Sequence, residues 1–292
     1  MTRNTIPNLA NPFNIFKLFT PLKHYHYFEQ HDAYPFNPDH DAHDKNNAWW
    51  LAEFSSLAYH DKDFVKRKLH RLLGLDVEHI TWIYGPENDT QSFIVSYDSY
   101  HIISFRGTEF YTPAMLTPRK LRSVKKDLMT DLKISKRTDA LVTNIKVHQG
   151  FHDALHEIWP QISELISNDD KKIWFTGHSM GGAISTLAAA RLHQRTSGVY
   201  TFGMPCLGDE TLTAFCQKHL SGKIFRYVNE NDFVANIMPK FMPEYQHCAQ
   251  AIPVHVKKRR SPFEFLGDAF KLDIIDHSPL FYMLATHEAM TR

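Results

Sequence analysis

The chain is poor in cysteine: Cys206, Cys216 and Cys248 are the only three in 292 residues. An odd, sparse set does not build a disulfide framework, and it fits a reducing compartment. Long apolar runs are also missing. Segment Asn11–Thr20 (NPFNIFKLFT) is short and broken by polar residues. It reads neither as the apolar stretch of a signal peptide nor as the ~20 residues that a membrane span needs. A cytoplasmic or non-classically exported protein is expected on that basis. A charge excess of either sign is absent too, with 33 basic residues against 32 acidic. That balance exerts no global pull on nucleic acid, and none is expected as a partner. HExxH and P-loop patterns are absent, so no metal or organic cofactor is expected.

What the chain does have is apolar content, 43% of residues, enough for a full core at this length. No internal repeat or low-complexity linker divides it. One domain over residues 46–292 is expected, preceded by an extension over 1–45 rich in proline, asparagine and histidine. The extension holds His24, His26, His31, His40 and His43. Its run His40-Asp41-Ala42-His43-Asp44 matches no metal-ligand spacing and reads as a polar loop.

Periodicity then supplies the elements. Ala48–Tyr59 has helical spacing, and Leu69–Leu75 is a shorter candidate. Thr81–Tyr84, Ser92–Asp98 and Tyr100–Phe105 are rich in Ile, Val, Tyr and Phe and read as strands, with Asp98-Ser99 as a hairpin turn. Further on, Phe151–Ile166 is helix-like, Lys172–Thr176 a strand, Gly181–Gln194 a helix, Val199–Gly203 a strand, Asp209–His219 a helix and Lys223–Val228 a strand. This alternation predicts an α/β sandwich with a mostly parallel sheet. From Asp232 onward the chain reads as loop-rich.

The segment Lys172–Gln194 (KIWFTGHSMGGAISTLAAARLHQ) carries the chemistry. An apolar strand enters Gly177-His178-Ser179-Met180-Gly181, a G-x-S-x-G pattern, and a small-residue helix follows. A serine on such a sharp turn projects its hydroxyl clear of the sheet, and the glycines let strand and helix backbones approach. The bare pattern arises by chance roughly one time in ten in a chain of this length. The flanking strand, Gly182 and the alanine-rich helix make it specific. Ser179 is the candidate nucleophile.

Several motifs, in order, resemble those of the class 3 lipases, the fungal-lipase-like branch of the α/β hydrolases. Ile103–Thr108 (ISFRGT) is similar to that family's strand ending in F-R-G-[ST]. Asp127–Leu132 (DLMTDL) resembles its D/N-W-x-x-D-L segment, with Leu128 in place of tryptophan. Val147–Phe151 (VHQGF) resembles V-H-x-G-F. Thr176–Gly182 (TGHSMGG) resembles T-G-H-S-L-G-G, with Met180 replacing leucine. Tyr227–Val234 (YVNENDFV) resembles V-N-x-x-D-x-V. The resemblance covers about Ala48 to Leu284 and implies an α/β-hydrolase fold with a lid segment.

A serine hydroxyl needs a base to take its proton, and the base needs a carboxylate to fix its tautomer. In α/β hydrolases the chain order is Ser, acid, His. Asp232 follows a strand at the carboxyl edge of the sheet, with Glu230 and Asp209 as rivals; the resemblance favours Asp232. Four of the 19 histidines lie beyond it: His247, His255, His277 and His287. His277 sits in a segment similar to the family's D-H-x-x-Y-[FWL], with one extra residue before the aromatic pair, and the resemblance favours it as the catalytic base. His178, beside the nucleophile, reads as a packing residue, and so do His148 and His152.

Acyl transfer also needs donors for an oxyanion. The Met180 backbone N–H is one, and by resemblance Thr108 is the other, with Arg106 structural. Residues 109–126 fall where the family carries a lid. Their apolar and basic side chains suggest docking on anionic membrane. Lys257–Arg260 reads as a solvated basic loop. These features together predict a serine hydrolase of lipid carboxylic esters, of acylglycerol lipase or phospholipase A1 type. The alternatives are a non-lipid esterase, an acyltransferase, a peptidase on the same fold, or an inactive lipid-binding protein.

Overall fold

The computed structural model describes residues 25–40, 42–108, 136–142, 144–229, 232–236, 242–255 and 276–292. The expected lid (109–126), the segment 127–132, Glu230 and the basic run 257–260 lie outside the described residues.

The sheet begins as an antiparallel meander of β1 (Ile80–Gly85), β2 (Thr90–Ser96) and β3 (Tyr100–Phe105). The Asp98-Ser99 turn closes its second hairpin, where the Tyr97 N–H donates to Tyr100 O at 2.8 Å. A separate ribbon pairs β4 (Lys136–Thr138) with β5 (Lys146–His148). The chain then returns to the main sheet through β6 (Lys172–His178), β7 (Thr196–Phe202), β8 (Ile224–Asn229) and β9 (Ala251–Val254), which pair in parallel from β3 outward. The sheet order is β1-β2-β3-β6-β7-β8-β9. Parallel neighbours require crossovers, and α3 (Gln149–Ile166), α4 (Met180–Arg191) and α5 (Glu210–His219) provide them.

Two apolar cores lie on opposite faces of this sheet, because successive strand side chains point opposite ways. On β3, Ile102 joins one core and Ile103 the other; on β6, Trp174 joins one and Phe175 the other. The first core is closed by α1 (Lys45–Leu57) and α6 (Pro279–Thr291), the second by α3 and α4. Both faces are covered, so the central strands are apolar without alternation, as buried parallel strands are.

The helix α2 (Lys62–Leu73) starts earlier than its periodicity suggests, because Asp61 caps it by accepting from the Phe64 N–H. It ends at Gly74, whose φ of 64° suits a left-handed cap. The helix α6 and strand β9 fall in the stretch expected to be loop-rich. From Pro279 to Met283 every residue of α6 is buried, so no polar stripe alternates with an apolar one and helical periodicity disappears.

Residues ahead of α1 are packed rather than peripheral. Tyr25, Tyr27 and Phe28 are buried in the first core. The Tyr25 hydroxyl donates to Glu53 at 2.7 Å, and the Phe28 N–H donates to the same carboxyl at 3.4 Å. In the histidine-aspartate run, Asp44 caps α1 by accepting from the Asn47 N–H, and His43 Nε2 lies 2.6 Å from the Tyr227 hydroxyl. The expected division at residue 45 therefore passes through a packed cluster.

Candidate active site

The elbow is built by close backbone approach. Ser179, between β6 and α4, has φ 58° and ψ −129°, which is strained for a residue with a side chain. Its N–H donates to Phe202 O at 2.9 Å, tying the bend to the end of β7. A methyl group on Gly177 would come within 2.3 Å of the Gly181 carbonyl, and one on Gly181 within 2.2 Å of Phe105 O. Only hydrogen fits at these two positions, which is the physical content of the G-x-S-x-G spacing.

Asp232 follows β8, and its N–H donates back to Asn229 O at 2.8 Å. Its carboxylate is fully buried and richly solvated by the protein. Oδ1 accepts from the Val234 and Ala235 N–H groups at 2.9 and 3.2 Å, and Oδ2 accepts from the Tyr282 hydroxyl at 2.5 Å. His277 Nδ1 lies 3.0 and 2.9 Å from the two carboxylate oxygens. Nδ1 must carry the proton in this pair, which leaves the Nε2 lone pair free to take one. That Nε2 is buried and has no hydrogen-bond partner among the described residues.

The Ser179 backbone and the Asp232–His277 pair both lie against the end of β7, at Phe202 and Gly203. This glycine directly follows Phe202, the acceptor of the Ser179 N–H, and has φ 63°. A methyl group there would lie 2.6 Å from Asp232 Oδ2 and 2.9 Å from His277 Nδ1. The ring of His178, next to the serine, lies 4.5 Å from the His277 ring.

His178 ties down the backbone of His277. Its Nε2–H donates to the His277 carbonyl at 2.7 Å, so Nδ1 accepts from the Tyr59 hydroxyl at 2.8 Å. Burial, reinforced by His277, pushes its pKa well below the ordinary histidine value, so the ring stays neutral. Tyr282 and Asn229 were not singled out from sequence. Burial, and then the Asp232 carboxylate, push the Tyr282 phenol far up, so it remains a donor. The Asn229 N–H donates to that phenol at 3.0 Å, and its side-chain amide donates to Asp276 O at 2.9 Å. The signals were present: Asn229 belongs to the V-N-x-x-D-like segment, and Tyr282 to the aromatic pair after His277.

The other candidates lie elsewhere. Asp209 caps α5, accepting from the Thr211 N–H, and pairs with Lys136 at 3.2 Å. His247 Nε2 donates to Ala235 O at 2.8 Å, and burial lowers its pKa to about 4. His287 packs edge-on against Trp49, and His255 is exposed at the end of β9. His148 opens α3 with its N–H on Leu207 O, while His152 sits 3.0 Å from Asp153, so neither forms a metal set with the other. Among the described residues the one group with metal-like spacing is the surface trio Asp76, Glu78 and His79, outside this site.

The two expected oxyanion residues are brought together. Met180 opens α4, so its backbone N–H is among the helix's unpaired first donors. Thr108 lies beyond β3 and is exposed, with its hydroxyl donating to Met180 Sδ at 3.4 Å.

Residues 102–242 match the family described as lipase (class 3). A secreted mono- and diacylglycerol lipase of Malassezia restricta is 32% identical over 117 residues, covering 37% of this chain and 39% of that protein. A secreted mono- and diacylglycerol lipase of Fusarium solani is 32% identical over 130 residues, covering 41% and 38%. The chain thus spans about two fifths of the length of these curated relatives. Among solved structures, the triacylglyceride lipase of Rhizomucor miehei superposes with a TM-score of 0.54 at 21% identity, over 80% of this chain and 92% of that one. At that identity the likeness establishes the α/β-hydrolase fold.

The relatives correct one expectation. They are named as secreted lipases, against the cytoplasmic or non-classically exported location expected from the lack of a signal-peptide-like or membrane-spanning stretch and from sparse cysteine. A core of this size is stable without disulfides in either redox setting, so three thiols do not report the compartment. No helix among the described residues is long and apolar enough to cross a membrane.

The matched segment runs from β3 through the elbow and Asp232, on the fold that the solved lipases share, and over these residues the chain is similar to the class 3 lipases.

Proposed function

We propose that this chain hydrolyses carboxylic esters of lipids outside the cell, with Ser179 as nucleophile, His277 as base and Asp232 as the orienting acid. The observation that carries the reading is the buried Asp232–His277 pair beside a strained serine, with the imidazole Nε2 unpartnered among the described residues. The secreted acylglycerol lipases among its relatives support the substrate class.

The mechanism is two-step acyl transfer. Ser179 Oγ attacks the ester carbonyl as His277 Nε2 takes its proton. The imidazolium is stabilised by Asp232, whose charge is already balanced by four donors: the Val234 and Ala235 N–H groups, Tyr282 and His277 itself. The tetrahedral oxyanion is held by the Met180 N–H and by Thr108, whose hydroxyl turns from the Met180 sulfur toward the developing charge. His277 then protonates the leaving alcohol and later activates water to release the acid. The basic residues within 109–126 are assigned to docking on anionic lipid, on sequence grounds. Neutralising them should weaken binding to anionic vesicles, and unchanged binding would remove that part of the reading.

The test is a panel of mono-, di- and triacylglycerols, phospholipids and p-nitrophenyl esters, run with wild type and Ser179→Ala, alongside fluorophosphonate labelling. Lipid hydrolysis lost in Ser179→Ala, with labelling confined to Ser179, is expected. Labelling without lipid turnover points to a non-lipid esterase or acyltransferase, and absent labelling to a binding protein.

A further inference from the structure

The oxyanion corner holds a sulfur where the resembled T-G-H-S-L-G-G motif has leucine. Met180 directly follows Ser179 and opens α4. Its side chain is half-buried and packs against the second core. The exposed Thr108 donates its hydroxyl to Met180 Sδ at 3.4 Å. The loop that carries Thr108 lies against the nucleophile. A methyl group on Gly107 would come within 3.2 Å of Ser179 Cβ and 2.5 Å of the His178 carbonyl oxygen.

A leucine side chain has no lone pair to accept the Thr108 proton. A thioether has one, and it accepts weakly. A weak acceptor releases the hydroxyl readily, which suits a donor that must turn toward an oxyanion. The same lone pair is open to oxidation. Of the other methionines among the described residues, Met204, Met283 and Met290 are buried and Met242 is half-buried. Met180 is the one that adjoins the nucleophile and holds a hydroxyl of the oxyanion corner.

We propose that Met180 is an oxidation site, at which a hydroperoxide turns the sulfur into a sulfoxide that captures the Thr108 hydroxyl and switches turnover off. This rests on the hydrolase reading above. In the step, an Sδ lone pair attacks the distal oxygen of the hydroperoxide. The S–O bond forms as the O–O bond breaks. The remaining oxygen keeps the hydroperoxide proton and leaves as alcohol or water. The sulfur gives up two electrons and the peroxide takes them. The product carries a polar oxygen acceptor where the thioether was a weak one. That oxygen competes with the oxyanion for the Thr108 proton. Removing an oxyanion donor outright lowers kcat by about 10²–10³-fold, so a donor held by competition should lower it roughly 10-fold or more.

The experiment treats the full chain with hydrogen peroxide and divides it among ester hydrolysis, fluorophosphonate labelling and peptide mapping. Activity should fall in step with Met180 sulfoxide. It should return on treatment with methionine sulfoxide reductases of both epimer classes. Each variant is scored against its own untreated activity. Met180→Leu should keep most of its own activity through the same treatment. Thr108→Val has no hydroxyl to capture, so it should form the sulfoxide yet lose far less of its own activity. Inactivation with Met180 unoxidised would overturn the proposal. Full turnover with the sulfoxide in place would do the same, as would equal losses in wild type and both variants. The untreated chain reports the hydrolase reading by itself. An inactive, unlabelled chain removes both readings, whereas an active, labelled chain indifferent to peroxide removes only the switch.

Discussion

The Tyr282 hydroxyl donates to Asp232 Oδ2 at 2.5 Å, the shortest of the contacts around this carboxylate. Asp232 is thus held by its own turn, through Val234 and Ala235, and by a helix about 50 residues further along the chain. A hydrogen bond to a charged group contributes about 1.5–3 kcal/mol. Tyr282→Phe removes it while keeping the ring in the core. We expect kcat to fall roughly 10-fold or more with KM little changed, and Ser179 to remain reactive toward fluorophosphonate at a reduced rate. An unaltered kcat would separate Tyr282 from the site.

Backbone strain at Ser179, the proposed nucleophile, gives a second prediction. Ser179 holds a φ of 58° that glycine adopts without penalty. Ser179→Gly and Ser179→Ala should both abolish hydrolysis. Only the glycine variant should also be stabilised, by about 1 kcal/mol, from relief of strain. Chemical denaturation of the three proteins measures this, and equal midpoints for the two variants would show that the bend stores no strain.

His178 predicts a different pattern. It is buried, neutral and bonded at both ring nitrogens, to Tyr59 and to the His277 carbonyl. His178→Ala leaves both partners unsatisfied and opens a cavity, so stability should drop by about 2–4 kcal/mol. Activity should fall with it, through displacement of His277. Urea titration and kcat read the two effects.

Glu53 sets a pH dependence. Its carboxyl is fully buried on α1, and burial raises its pKa to about 8, against the opposing hydrogen bonds from Tyr25, Phe28 and Trp49. A carboxyl whose native pKa lies above its unfolded value contributes most below the unfolded value, near 4.5. That contribution declines as pH rises toward about 8, because the unfolded chain releases the proton first. Stability should therefore fall by a few kcal/mol across that window. Glu53→Gln should flatten the slope in a denaturation series, and an unchanged slope would assign it to another group.

Removing residues 1–44 should damage folding rather than trim a loose tail. Tyr25, Tyr27 and Phe28 lie in the first core, and burying each such side chain contributes about 1.5–3 kcal/mol. We expect a lowered melting temperature and loss of soluble protein at 37 °C, measured by thermal denaturation. A truncated chain as stable as the full one would support a boundary at residue 45.

The chain's own order of residues determined the parts governed by local chemistry. Alternating strands and helices between residues 80 and 229 follow from periodicity, and the elbow from glycines that only close backbone contact requires. Asp232 was legible because a strand and a recognisable segment lead into it. Buried α6 was not, since a helix apolar on every side has no period to read. Among the four histidines the motif resemblance favours His277, and the tertiary structure sets its ring against Asp232 and ties its carbonyl to His178. The tertiary structure alone brought Tyr282 and Asn229 into the same network. The reason is physical: hydrogen bonds and ion pairs between residues far apart in sequence depend on where the sheet and its helices place them, and local patterns carry no record of that placement.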